Sequence, residues 1–130
     1  MTHDQVQAWL DAYIAAWKSY EREAIAALFS EDVRYRYHPA DEPIAGREAV
    51  VESWLGEGEH PDSSERDEPG TYDAAYTPFA VEGDRAVATG SSRYFDDGGK
   101  VTDVYDNCFV ISFDGDGRCR EFTEWFVKRP

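Results

Sequence analysis

The stretch Leu28 to Glu48, LFSEDVRYRYHPADEPIAGRE, constrains the fold of this chain most, because it joins a helix end, a strand, a turn and a second helix start. Leu28 and Phe29 complete an apolar helix face, and Glu31 and Asp32 break away from it. Val33, Tyr35 and Tyr37 then alternate with Arg34, Arg36 and His38, the period of a strand buried on one face. Pro39 and Pro43 each remove a backbone donor and restrict the residue before them, so HPADEP reads as an irregular connection.

On the N-terminal side, Thr2 with Gln5 forms a capping-box pattern. Val6, Trp9, Leu10, Tyr13, Ile14 and Trp17 follow the i, i+3, i+4 stripe of an amphipathic helix until Ser19 and Tyr20 interrupt it. A short helix from about Glu21 carries Ile25, Leu28 and Phe29 inward, and a third begins after Gly46 with Val50, Val51, Trp54 and Leu55 as its apolar face. From Glu57 to Gly70 the chain is Gly, Pro, Ser and acid without periodicity, which reads as a surface loop or a lid over a pocket. Four strand-like runs follow, Thr71 to Val81, Arg85 to Phe95, Val101 to Phe113 and Arg118 to Lys128, separated by hairpin turn chemistry (EGD, DDGG, DGDG). Three helices and then a consecutive antiparallel meander predict a single α+β domain over residues 1–130, with the helices on the concave face of a curved, conical sheet.

The chain has 130 residues, enough for one real core, and 15% of them are aromatic, a composition suited to lining a cavity. Its formal net charge of -14 repels phosphate backbones and anionic lipid, which argues against nucleic acid and membrane surfaces as partners. The sequence shows no signal-peptide pattern and no apolar run long enough to span a bilayer, and a cytoplasmic location is expected. Cys108 and Cys119 lie on adjacent strands; with Phe113 facing Arg118, Cys108 faces Thr123 and Cys119 faces Ser112, out of register for a disulfide. His3, His38 and His60 have no ligand-like spacing, so neither a metal nor another cofactor is expected.

Alternation assigns the faces of the last two strands. The odd set from Val101 to Phe113, with Asp103, Tyr105, Asn107, Phe109 and Ile111, is the larger and more aromatic and is placed in the interior. Asp103 and Asn107 then share a face with core residues, where each needs a partner or a ligand. Alternatively, the strand projects past the cone at Asp103, and Asn107 bonds neighbouring backbone. Glu124 is flanked on its own face by Phe122 and Phe126, surroundings that disfavour its charged form and suit it to acid or base work near neutral pH. The competing reading pairs it with Arg93 or Arg120 in a structural bridge. The other face of the last strand, with Cys119, Thr123, Trp125 and Val127, is also apolar enough to be covered, which suggests a homodimer through the outer face of the sheet.

A helix ending in L-F-x-E-D-V, an aromatic-rich strand, then P-x-x-G-R-E-A-V, and FDGDGRCREFTEWF near the end together resemble the nuclear transport factor 2-like superfamily, in its SnoaL-like and ketosteroid-isomerase-like branch. The resemblance spans almost the whole chain. It implies a conical α+β fold, frequent dimers, and a range of functions from isomerases, cyclases, dehydratases and epoxide hydrolases to non-catalytic binding modules. Of the isomerase residues, the helix tyrosine falls on Tyr13; an aromatic is also what the Trp9 and Trp17 stripe alone would place there. The base aspartate falls on Tyr37 or His38, and the second, protonated aspartic acid falls on Phe109. His38 is on the opposite strand face from Tyr35 and Tyr37 and needs a bend at Pro39 to reach the cavity. Arg93, Glu124 and Asp103 imitate the Asp-Arg-Asp set of the epoxide hydrolases only in part, since no strand aspartate sits near Arg93. SnoaL-like cyclases act on enolisable carbons, for which Glu124, Tyr13, Tyr37 and Asn107 supply a carboxyl and donors.

The expectation is therefore a small-molecule-binding domain whose ligand is apolar, aromatic or polyketide-like. As an enzyme it would run cofactor-independent acid/base chemistry, with Glu124 moving the proton, Tyr13 and Asn107 stabilising charge on oxygen, and His38 as reserve base. Trp17, Tyr37, Asp103, Tyr105, Phe109, Phe122 and Phe126 are the expected ligand-binding residues. The alternative is a non-catalytic binding or dimerisation module in which the polar groups satisfy one another.

Overall fold

The structure, a computed structural model, describes residues 1–57 and 66–130. Helix α1 (His3–Ser19) starts at the expected capping box: Thr2 Oγ1 accepts from the Gln5 amide at 3.1 Å, and Gln5 Oε1 accepts from the Thr2 amide at 2.9 Å. Two donors that a helix start leaves open are thus satisfied. Its buried stripe is Val6, Trp9, Leu10, Tyr13 and Ala16. The helix stops at Tyr20, whose left-handed backbone (φ 50°) turns the chain into the short helix α2 (Arg22–Ala26). Helix α3 (Arg47–Trp54) follows Gly46, whose φ of 97° favours glycine at that entry.

The strands are β1 (Phe29–Arg36), β2 (Ile44–Ala45), β3 (Tyr72–Glu82), β4 (Arg85–Phe95), β5 (Val101–Phe113) and β6 (Cys119–Lys128), in one sheet ordered β2-β1-β6-β5-β4-β3. The meander from β3 to β6 is antiparallel as expected, and the sheet is mixed because β1 joins β6 in parallel. The excursion through α3 and three hairpins returns the last strand beside the first in the same direction. The helices cover one face. Trp9 anchors them, with its ring 5.6 Å from Phe113 and 6.2 Å from Phe122, and its Nε1 donating to the Leu28 carbonyl at 3.0 Å.

Three local expectations need correction. Strand β1 begins at Phe29, not Val33, and its register against β6 shifts between Phe29 and Arg34. That irregularity keeps Phe29 and Val33 buried while Glu31 and Asp32 stay in water. The two-residue β2, paired Arg34 to Ala45 and Tyr35 to Ile44, lies at the end of the irregular connection. In the last hairpin, Cys108 faces Trp125 and Phe113 faces Cys119, because the DGDG turn closes from the Asp114 amide to the Arg118 carbonyl and a bulge follows Ser112. Both thiols are free. The stretch expected as loop or lid includes residues 58–65, and with them His60, which lie outside the described residues. Among the described residues, no helix is long and apolar enough to cross a membrane.

Candidate active site

Between α1 and the inner face of the sheet lies a cavity of about 490 Å³, within the range that holds a small molecule. It exists because of a size contrast along β4. The inward positions Gly90 and Ser92 are small, whereas their cross-strand neighbours Tyr76, Asn107 and Tyr105 are large. Gly90 admits no substitute without movement. A Cβ there would stand 2.0 Å from the Ala75 carbonyl oxygen and 2.8 Å from Tyr76 Cδ1, so the Tyr76 ring occupies the space that a side chain would need.

Glu124 projects into this cavity from β6, opposite Phe109. Asn107 Nδ2 donates to Glu124 Oε2 at 2.8 Å, and the Ser92 hydroxyl donates to Asn107 Oδ1 at 3.1 Å. This chain of bonds fixes the amide's orientation and aims one carboxyl oxygen. Among the described residues no cation pairs with Glu124: Arg120 lies 3.6 Å from Asp84, and Arg93 sits over the Phe95 ring. Burial raises the Glu124 pKa from 4.5 to about 7, against the lowering effect of the Asn107 bond. The structural bridge to an arginine is thereby replaced by a neutral amide contact.

Tyr13 reaches the same region from α1, its hydroxyl 3.4 Å from that of Tyr35, with Phe109 and Phe122 each 5.6 Å from its ring. Burial pushes the phenols of Tyr13, Tyr35, Tyr76 and Tyr94 well up, so all four remain neutral hydrogen-bond donors at neutral pH.

The other expected residues divide by depth. Trp17, Tyr37, Tyr105 and Phe126 line the cavity. Trp17 Nε1 donates to Asp67 Oδ2 at 3.1 Å, and the Tyr37 and Ser53 hydroxyls are 2.9 Å apart. Asp103 is at the edge, bound to Lys128 Nζ at 2.8 Å, which holds its carboxyl below the usual range. Phe109 and Phe122 do not line the cavity. They are fully buried beneath it, Phe122 stacked on Tyr13 and Tyr35 and Phe109 inclined at 44° to Phe122. His38 does reach the cavity, contrary to its expected face, because β1 ends at Arg36 and alternation ends with it; its ring is 5.1 Å from Phe126. The residues that sequence reasoning missed are Tyr76, Ser92 and Tyr94. The signal was the small inward set Ala86, Ala88, Gly90 and Ser92 of β4, which leaves room that large residues elsewhere must border.

Comparison with known proteins agrees with this architecture. The crystal structure of a candidate ketosteroid isomerase from Kribbella flavida superposes with a TM-score of 0.66 at 20% identity, covering 98% of this chain and 82% of that one. No curated protein matches the chain. The model of the SnoaL-like domain matches residues 10–122, which include the second half of α1 and the cavity residues from Tyr13 to Asn107 and end just before Glu124 and Phe126. The chain therefore belongs to the SnoaL-like domain family.

Proposed function

We propose that this domain binds a largely apolar or aromatic small molecule in the cavity and transfers a proton on it without a cofactor, as in isomerisation, cyclisation or dehydration. One observation carries the reading: a carboxyl group opens on an aromatic cavity, held by an amide and no cation among the described residues, with a pKa of about 7. Near neutrality such a group is present in both forms, so it can accept a proton from carbon and return it to another. Tyr13 supplies a neutral donor to an oxygen on which charge develops. The second amide hydrogen of Asn107 is available for the same purpose while the first holds Glu124. His38 at the mouth is the reserve base.

Proton exchange tests this directly. A panel of aromatic ketones and enones with enolisable carbons is incubated in D2O, and deuterium uptake is followed by NMR. We expect catalysed exchange by the wild type and a loss of about 10²- to 10⁴-fold in Glu124→Gln, the usual scale of one positioned acid or base. Exchange that persists in Glu124→Gln removes this residue from the mechanism. Binding without exchange across the panel identifies a ligand-binding module instead.

The same reading includes a homodimer through the outer sheet face, where Val110, Trp125 and Val127 are 41%, 44% and 69% exposed. Two unpaired thiols suit a reducing compartment, and we place the protein in the cytoplasm.

A further inference from the structure

The cavity wall has a charge character that the proton-transfer reading leaves unused. Trp17 of α1, Tyr94 of β4, Tyr105 of β5 and Phe126 of β6 form a continuous arc of rings, with successive centroids 6.4, 5.8 and 5.7 Å apart. Successive planes are inclined at 62°, 84° and 77°, and His38 extends the arc beyond Phe126. Neighbouring rings set nearly at right angles form the walls of a box. At the box floor stands Glu124, a carboxyl with one oxygen bonded by Asn107 and the other without a partner among the described residues. The edge ion pair of Asp103 with Lys128 cancels its own charge, and Glu124 has no compensating cation among the described residues. Aromatic faces with a carboxylate and no opposing cation recognise a positive nitrogen, not an anion.

We propose that the cavity takes an organic cation, an apolar molecule carrying an amine or quaternary ammonium, with the positive nitrogen against the aromatic arc and the Glu124 carboxylate as counter-ion. The inference rests on the cavity being the binding site and names the class of its ligand. The molecule's charge of -14 favours the approach of such a ligand from solution. Binding selects the ionised form of Glu124, so a ligand that arrives at pH 7 displaces about half a proton, given the pKa near 7. The groups facing Glu124 do not mask this. Tyr13 of α1, Tyr35 of β1, Tyr76 of β3 and Tyr94 of β4 stay neutral, and Asn107 of β5 carries no charge. Asp67, bonded to Trp17, adds a second negative group near Tyr94. His38 also lines the cavity, its ring 5.1 Å from Phe126, so His38→Gln serves as the control that isolates Glu124.

The test uses benzyltrimethylammonium, its neutral carbon isostere neopentylbenzene, and benzylsulfonate. Binding is followed by calorimetry and tryptophan fluorescence at pH 8 and pH 5.5. We expect the ammonium to bind at least tenfold more tightly than the isostere at pH 8, and the sulfonate not at all. The preference falls at pH 5.5 in both the wild type and His38→Gln, and is lost at both pH values in Glu124→Gln. Calorimetry in buffers of different ionisation enthalpy should report proton release in the wild type and none in Glu124→Gln. Equal affinity for ammonium and isostere at pH 8, an unchanged preference at pH 5.5, or no ammonium binding at 10 mM overturns the proposal, and the wild-type pH comparison stands even if the Gln variant misfolds. Deuterium exchange on a neutral ketone that depends on Glu124, without cation preference, overturns this inference alone and leaves the proton-transfer reading in place.

Discussion

A carboxyl buried among rings lowers stability when it ionises, and Glu124 does so across an accessible pH range. Its folded pKa lies above its ordinary value, about 7 against 4.5, so between those values the folded state binds more protons than the unfolded one. Stability therefore falls as pH rises through this window and stays lower above it, by on the order of 3 kcal/mol for such a shift. Gln at this position keeps an acceptor for Asn107 and never ionises. Urea denaturation should find Glu124→Gln more stable than the wild type by about 1–3 kcal/mol at pH 8, with the difference nearly gone at pH 5. A difference independent of pH would mean that ionisation of Glu124 does not oppose folding. This residue was legible in the sequence because Phe122 and Phe126 flank it two positions away on the same strand face. Phe109 and Phe122 were given the right face and the wrong depth, since alternation says which side a residue faces and not how far along the strand the cavity extends. Ser92 and Tyr76 could not be tied to the carboxyl from sequence alone. Their roles come from strand register, which sets Tyr76 opposite Gly90 and Ser92 diagonally across from Asn107, fifteen residues away in the chain.

The elements were legible wherever their signals are local. The capping box of α1, its apolar stripe and the turns between β3 and β6 each lie within a few residues of chain, and each appears where it was expected. Register is not local. The bulge after Ser112 moves Cys119 opposite Phe113, and no short-range pattern announces it. Gly90 shows the same limit from the other side, because an unremarkable glycine in a strand proves to be where the Ala75 carbonyl and the Tyr76 ring of β3 leave no room for a side chain on β4. Alanine in a strand is ordinarily preferred to glycine. At Gly90 the added Cβ meets backbone on the paired strand, so Gly90→Ala should destabilise the domain by about 1–3 kcal/mol in thermal or urea unfolding, the usual scale of overpacking. It should also displace Tyr76 and weaken ligand binding. A variant as stable as the wild type would mean that β3 and β4 separate here at little cost.

At the scale of the molecule, one sheet face is covered by helices, and on the other Val110, Trp125 and Val127 stand exposed among the described residues. On that outer face Cys108 lies opposite Trp125, Val110 opposite Thr123 and Asp106 opposite Val127, which sets Val110, Trp125 and Val127 side by side. A monomer would leave this patch in water, whereas in the dimer proposed above a second copy related by a twofold axis would cover it with the same patch. Each substitution then acts twice across the axis. Val110→Asp places two carboxylates near each other in an apolar contact while changing a side chain that is exposed in the single chain, so the fold should survive and the dimer should weaken by about 10²- to 10³-fold. Sedimentation of both proteins at tens of micromolar checks this. Added salt should strengthen the wild-type dimer, because two copies each carrying -14 repel at long range and the repulsion is screened. A wild type that sediments as a monomer removes the outer face as an interface, and a Val110→Asp variant that stays dimeric moves the contact elsewhere on the surface.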